Sequence, residues 1–217
     1  MRPIRARCPI LYASYARLCG AVPRPSSYAT ATAQSDSVGR AFDNGSVVTG
    51  LVLIGAPGAG KSSVLEALTT RLEVRGTAYG AIESEQLAWG WPLLGAESWI
   101  AQLAAVIGLQ RQSGRTLFLI AATTETADQL RGVLTALNAD VVLVVCLIAT
   151  PKIVAARIEE REPDRWPGKE RLIRHARELA RTIPLIETID LQINTEDREA
   201  DDVAAEIHDA LITLGID

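Results

Sequence analysis

The chain has 217 residues, 48 % hydrophobic and 22 % charged, with a net charge of −4 and a pI near 5.3. That composition suits one soluble α/β domain with a full core, and its acidity argues against a nucleic-acid-binding surface. The longest apolar run, "VVLVVCLIA" from Val141, is too short to cross a bilayer, so no membrane association is expected.

Residues 1–46 read as a basic appendage. Arg2, Arg5, Arg7, Arg17, Arg24 and Arg40 outnumber Asp36 and Asp43 there, among Ser, Ala and Pro, with no sustained apolar period. A disordered tail or upstream sequence fits best, for want of an amphipathic face; an Arg- and Ser-rich transit peptide is the other reading. Cys8 and Cys19 lie in this leader and Cys146 far from it, so no disulfide framework is legible and a reducing cytoplasm fits.

From Val47 to the end, short apolar strands alternate with amphipathic helices. "LVLIG" (51–55) reads as a strand, followed by a helix from Lys61 that Gly76 can stop. "AYGAIE" (78–83) is a second strand, 97–112 a helix, "TLFLIAA" (116–122) a third strand, and 125–138 a helix behind Thr123 and Thr124 as caps. "DVVLVVCLI" (140–148) is the most apolar strand and is expected at the sheet centre, buried on both faces. Thr150 and Pro151 then open a helix running to about Arg161. A polar loop, "EPDRWPG", leads to a helix over 169–183, a fifth strand "DLQIN" (190–194) and a last helix near 199–214. Strand–helix alternation of this length implies a five-stranded parallel sheet with helices on both faces, a three-layer α/β fold.

One motif fixes the chemistry. "GAPGAGKS" is Gly55, Ala56, Pro57, Gly58, Ala59, Gly60, Lys61 and Ser62, between an apolar strand and a helix. The glycines let successive N–H groups turn inward on phosphate oxygens, and the helix start, through Ser63, adds its dipole. Lys61 would reach the β- and γ-phosphates of ATP, and Ser62 would ligate Mg²⁺. No N-K-x-D element reads guanine, no LSGGQ-like segment is present, and the third strand ends "IAATTE" rather than in the D-E of AAA-type motors. Size and these absences leave the small-molecule kinases.

The chain resembles the P-loop kinase group of shikimate, gluconate and adenylylsulfate kinases, chloramphenicol phosphotransferases and, more distantly, nucleoside monophosphate kinases. In several of those families the second strand ends in two acids one residue apart. One helps hold Mg²⁺, often through water, and the other contacts the acceptor hydroxyl. Glu83 and Glu85 stand there, as glutamates where aspartates are usual, which leaves their division of labour open. "ARIEEREPDRW" resembles the lid whose arginines close over the phosphates, with Arg157 and Arg161 sharing a helix face and Arg165 in the loop. The alternative is that both pair with Glu160 and Glu162. "INTED" resembles the loop that passes the adenine.

Other side chains are read more plainly. His175 and His208 are taken as surface residues and Trp99 as core. Trp89 and Trp91 serve either packing or a substrate wall. No Lys or Arg occurs from Gly76 to Gln110, where Glu83, Glu85 and Glu97 keep company with three tryptophans. A neutral or cationic acceptor therefore fits better than an anion, unless Arg111, Arg115 or Arg131 folds in. The expectation is an ATP- and Mg²⁺-dependent small-molecule kinase with Lys61, Arg157 and Arg161 on the phosphates and Glu85 as base. The rival is a P-loop module that switches or hydrolyses ATP for a protein partner.

Overall fold

The computed structural model describes residues 47–91 and 94–215. The leader assigned to 1–46, with Cys8 and Cys19, lies outside the described residues. Five strands form one parallel sheet: β1 (Thr49–Ile54), β2 (Tyr79–Glu83), β3 (Leu117–Ala122), β4 (Val141–Ile148) and β5 (Leu191–Asn194), in spatial order β2-β3-β1-β4-β5. The helices are α1 (Lys61–Arg75), α2 (Ser84–Leu87), α3 (Ala96–Gln112), α4 (Ala127–Leu137), α5 (Pro151–Arg161), α6 (Lys169–Thr182) and α7 (Ala200–Thr213).

The middle strand is β1, not β4 as its greater hydrophobicity suggests. β1 pairs with β3 from Thr49–Leu117 to Ile54–Ala122, and with β4 from Thr49–Val141 to Ile54–Cys146. β4 lies beside it, still flanked on both edges, with β5 outside. Strand periodicity divides the core in two. Val52, Ile54, Phe118, Ile120, Val144 and Cys146 face α3, α4, α5 and α6. Leu51, Leu53, Leu119, Val145 and Leu147 face α1 and α7. The apolar content of β4 reflects burial on both faces, which β1 shares, and so does not single out the centre.

Helix ends mostly follow local chemistry. Thr150 Oγ1 accepts from the Ile153 N–H at 3.5 Å with Pro151 at the first position, and Gly76 closes α1 at φ 73°. α4 begins later than expected: Thr126 is its cap, accepting from the Gln129 N–H at 3.3 Å. Thr123 and Thr124 lie three and two residues before that cap, beyond the position from which a side-chain oxygen reaches the first-turn amides. His208 is also buried, at 6 % exposure, because it follows Ala204 by four on the inward stripe of α7. His175 is not a free surface residue either; its Nε2 lies 3.0 Å from Glu125 Oε1, both side chains 16 % exposed. Among the described residues no helix is long and apolar enough to cross a membrane.

Candidate active site

The carboxyl end of β1 opens at the middle of the sheet, where α/β folds place ligands. The loop leaving it is shaped by close packing. Gly58 has φ +83°, and a Cβ there would stand 2.7 Å from Val154 O on α5. Gly60, at φ +99°, caps α1 without a side chain, so the first-turn amides of that helix are left to a ligand or water.

A cleft above the loop is lined by Pro57, Gly58, Gly60, Lys61, Ser62, Ser63, Glu85, Ala121, Thr123 and Arg161. Gly55, Ala56 and Ala59 are buried behind this wall. Lys61 Nζ donates to Gly55 O at 2.8 Å and Ala56 O at 3.3 Å, so its ammonium curls onto the loop and keeps one proton for another partner. Burial pushes this ammonium below lysine's ordinary range; the Glu85 charge opposes the fall and the Arg161 charge adds to it.

Glu85 enters from α2. One carboxylate oxygen accepts the Thr123 N–H at the end of β3, and among the described residues the other meets Ser84 Oγ at 3.5 Å. The Trp99 indole, from α3, donates to Ser84 O at 2.8 Å and so braces the peptide between the two acids. Glu83 does not line the cleft. It ends β2 half-buried and accepts from Gln86 Nε2 at 3.1 Å. Arg161 reaches the cleft while its Nε donates to Glu162 Oε1 at 2.8 Å.

Three expected participants stand elsewhere. Arg157 donates to Gly58 O, Thr195 Oγ1 and Thr195 O, at 3.2, 3.0 and 2.6 Å, so it props the loop rather than covering the cleft. Trp89 and Trp91 are 46 % and 80 % exposed and do not line the cleft. The loop after α5 is tied down: Trp166 packs against the core, and Lys169 Nζ bridges Glu159 and Asp164 at 3.0 and 2.9 Å. Sequence reading takes Thr123 as a helix cap and Thr195 only as part of the "INTED" loop. Thr123 acts through its amide at the end of β3 and Thr195 through its hydroxyl after β5, positions that only the sheet order brings to the loop.

The donor set suits Mg²⁺ and a nucleotide. Ser62 contributes a half-buried hydroxyl near the Glu85 carboxylate, hard oxygen ligands that leave room for waters and phosphate oxygens. Among the described residues no cluster of three or more His, Cys, Asp or Glu forms a cage for a metal held by protein alone.

Strand order, loop and cleft together define the fold of P-loop small-molecule kinases. Solved structures with this fold include shikimate kinase from Acinetobacter baumannii, with 18 % identity and a TM-score of 0.51 over 78 % of this chain and 96 % of that one. The APS kinase of Mycobacterium tuberculosis, in complex with AMPPNP and APS, has 18 % identity and a TM-score of 0.52 over 76 % and 98 %. A gluconokinase from Sinorhizobium meliloti has 21 % identity and a TM-score of 0.50 over 76 % and 97 %. No family model and no curated protein sequence matches the chain.

Proposed function

We propose that this protein is a cytoplasmic kinase that transfers the γ-phosphate of ATP to a hydroxyl of a neutral or cationic small molecule. The observation that carries the proposal is the single cleft in which Lys61, Ser62, Arg161 and the loop amides meet the Glu85 carboxylate. Lys61 and Arg161 neutralise the transferring phosphoryl group, and the amides of α1 hold the phosphates. Glu85, fixed by the Thr123 amide, orients the acceptor hydroxyl and takes its proton. Mg²⁺ would be held by the Ser62 hydroxyl together with waters and would offset charge on the β- and γ-oxygens; Glu83, expected as its water-mediated partner, stands outside the cleft. The free, buried thiol of Cys146 suits a reducing compartment.

The acceptor class follows from where the nearby arginines are. Arg111 is spent on Leu137 O and Asn138 O, and its guanidinium lies 5.7 Å from the Phe118 ring centroid. Arg131 pairs with Asp128 in solvent. Arg115 lies beside Tyr79, at the end of β2 away from the loop. None of these three offsets the carboxylates at the end of β2, which disfavours an anionic acceptor.

Acceptor-stimulated ADP release tests this directly. A panel of polyols, amino alcohols and aminoglycosides is set against hydroxy acids. Stimulation by the first set is expected; stimulation by hydroxy acids alone overturns the acceptor class. A second reading, a nucleotide switch for a protein partner, is favoured by the exposure of Trp89 and Trp91 outside the cleft. It gains if the protein binds ATP and no small acceptor changes the rate.

A further inference from the structure

Thr195, the residue after β5, is 4 % exposed and touches the phosphate loop without lining the cleft. Its hydroxyl lies 3.0 Å from Ala59 O and 3.3 Å from Ile148 O. Ile148 O already accepts the Thr195 N–H at 2.9 Å, so the one hydroxyl proton is better used on Ala59 O. The same hydroxyl oxygen accepts from Arg157 Nη1 at 3.0 Å. The second Nη1 proton serves Gly58 O at 3.2 Å, and Nη2 donates to Thr195 O. Two successive carbonyls of the loop are thus gripped from outside the cleft.

The grip matters because of what the Ala59–Gly60 peptide could otherwise do. In a trans peptide C=O and N–H point in opposite directions. Drawing Ala59 O toward Thr195 turns the Gly60 N–H away from Thr195, and Gly60 is a cleft residue. Nothing lies within 4 Å of where a Gly60 Cβ would be, so side-chain packing at that residue does not select the orientation. A peptide entering glycine can rotate at little steric cost. The hydrogen bond from Thr195 supplies the selection.

We propose that Thr195 is a positioning residue for phosphate binding: its hydroxyl, aimed by Arg157, holds the Ala59–Gly60 peptide with the N–H facing the nucleotide phosphates. The inference rests on the nucleotide-binding reading above and adds a residue to it. It differs from the role that resemblance implies for this loop, contact with the adenine.

Tripolyphosphate separates the two, because it has phosphates and no base. ADP and tripolyphosphate, each with Mg²⁺, are titrated calorimetrically into the wild-type protein, Thr195→Val and Thr195→Ser, with melting temperatures as the check on folding. Thr195→Val is expected to weaken both ligands about five- to tenfold, the effect of losing one ordering hydrogen bond. Thr195→Ser is expected to bring both back to within about twofold. If ADP weakens and tripolyphosphate does not, Thr195 works through the base and the proposal is overturned. Unchanged affinity for both overturns it equally. A wild-type protein that binds neither ligand removes the nucleotide reading, and this inference with it; failure confined to the variants leaves that reading standing.

Discussion

Lys61 and Glu85 approach the same cleft from opposite sides, and their environments suit different work. Lys61 sits at the loop, its ammonium tied to two carbonyls and pushed below its ordinary range by burial. Lys61→Ala removes the cation nearest the expected phosphates. Phosphoryl transfer is expected to fall by about 10²–10³-fold, with the circular dichroism spectrum unchanged. Transfer at the wild-type rate would show that this loop does not hold the reacting phosphate. Glu85→Gln keeps the Thr123 contact, since an amide oxygen still accepts, and removes the proton acceptor. It is expected to lower kcat by about 10²–10⁴-fold with little effect on ATP affinity. Glu83→Gln, outside the cleft, is expected to change kcat and the Mg²⁺ dependence by less than about threefold. Steady-state kinetics on both variants decides: equal effects would mean that the two acids share one task. Cys146 is a contrast. Burial raises its thiol to about 11, so it stays protonated and unreactive at neutral pH despite the nearby Lys61.

Among the elements, the segment between α5 and α6 carries Arg165 of the expected lid. Resemblance suggests a moving cover, and in this structure the segment rests on Trp166 and the Lys169 ion pairs. The hydrogen bond and charge of Lys169 hold the Asp164 carboxyl below its usual range, and Asp164 in turn raises the Lys169 ammonium. The sign follows from linkage. The Asp164 contribution is present above about pH 3.9 and is lost as pH falls through its lowered folded value. The Lys169 contribution is present below about pH 10.4 and is lost as pH rises through its raised folded value. Between those limits the anchor is charged on both sides. Lys169→Met is therefore expected to speed tryptic cleavage after Arg165 several-fold at pH 8. An unchanged cleavage rate would mean that Trp166 alone secures the segment. Salt should weaken the wild-type anchor in the same assay, because Asp164 is almost fully exposed.

At the level of the whole molecule, the described members of the sheet and of both cores lie between Val48 and Leu211. Every described strand is paired within that span. A chain beginning at Val47 is expected to keep its melting temperature within about 3 °C, the shift that a 1 kcal/mol change brings at this size. It should keep its ADP affinity too. A larger drop would place part of the leader against the domain.

The sequence by itself determined the alternation of strands and helices, the two-sided burial of the sheet and the position of the phosphate loop. Each of these is a local pattern: period-2 and 3.6-residue spacing, caps at Thr150 and Gly76, and glycines between a strand and a helix. His208 reads as a surface residue in the sequence, although it follows Ala204 by four on the inward stripe of α7 and is buried. Tertiary structure alone decided that β1 rather than β4 is the middle strand, since pairing order depends on crossovers that local hydrophobicity does not encode. It also decided which charged groups meet. Arg157 shares a helix face with Arg161, yet it turns to Thr195 and Gly58, while Arg161 reaches the cleft. Glu83 and Glu85 are two residues apart, but a strand end holds one back and the first turn of α2 carries the other to Thr123. Backbone direction at those points is set by contacts across the fold, Trp99 with Ser84 and Thr195 with Ala59, whose partners lie 15 and 136 positions apart in the chain.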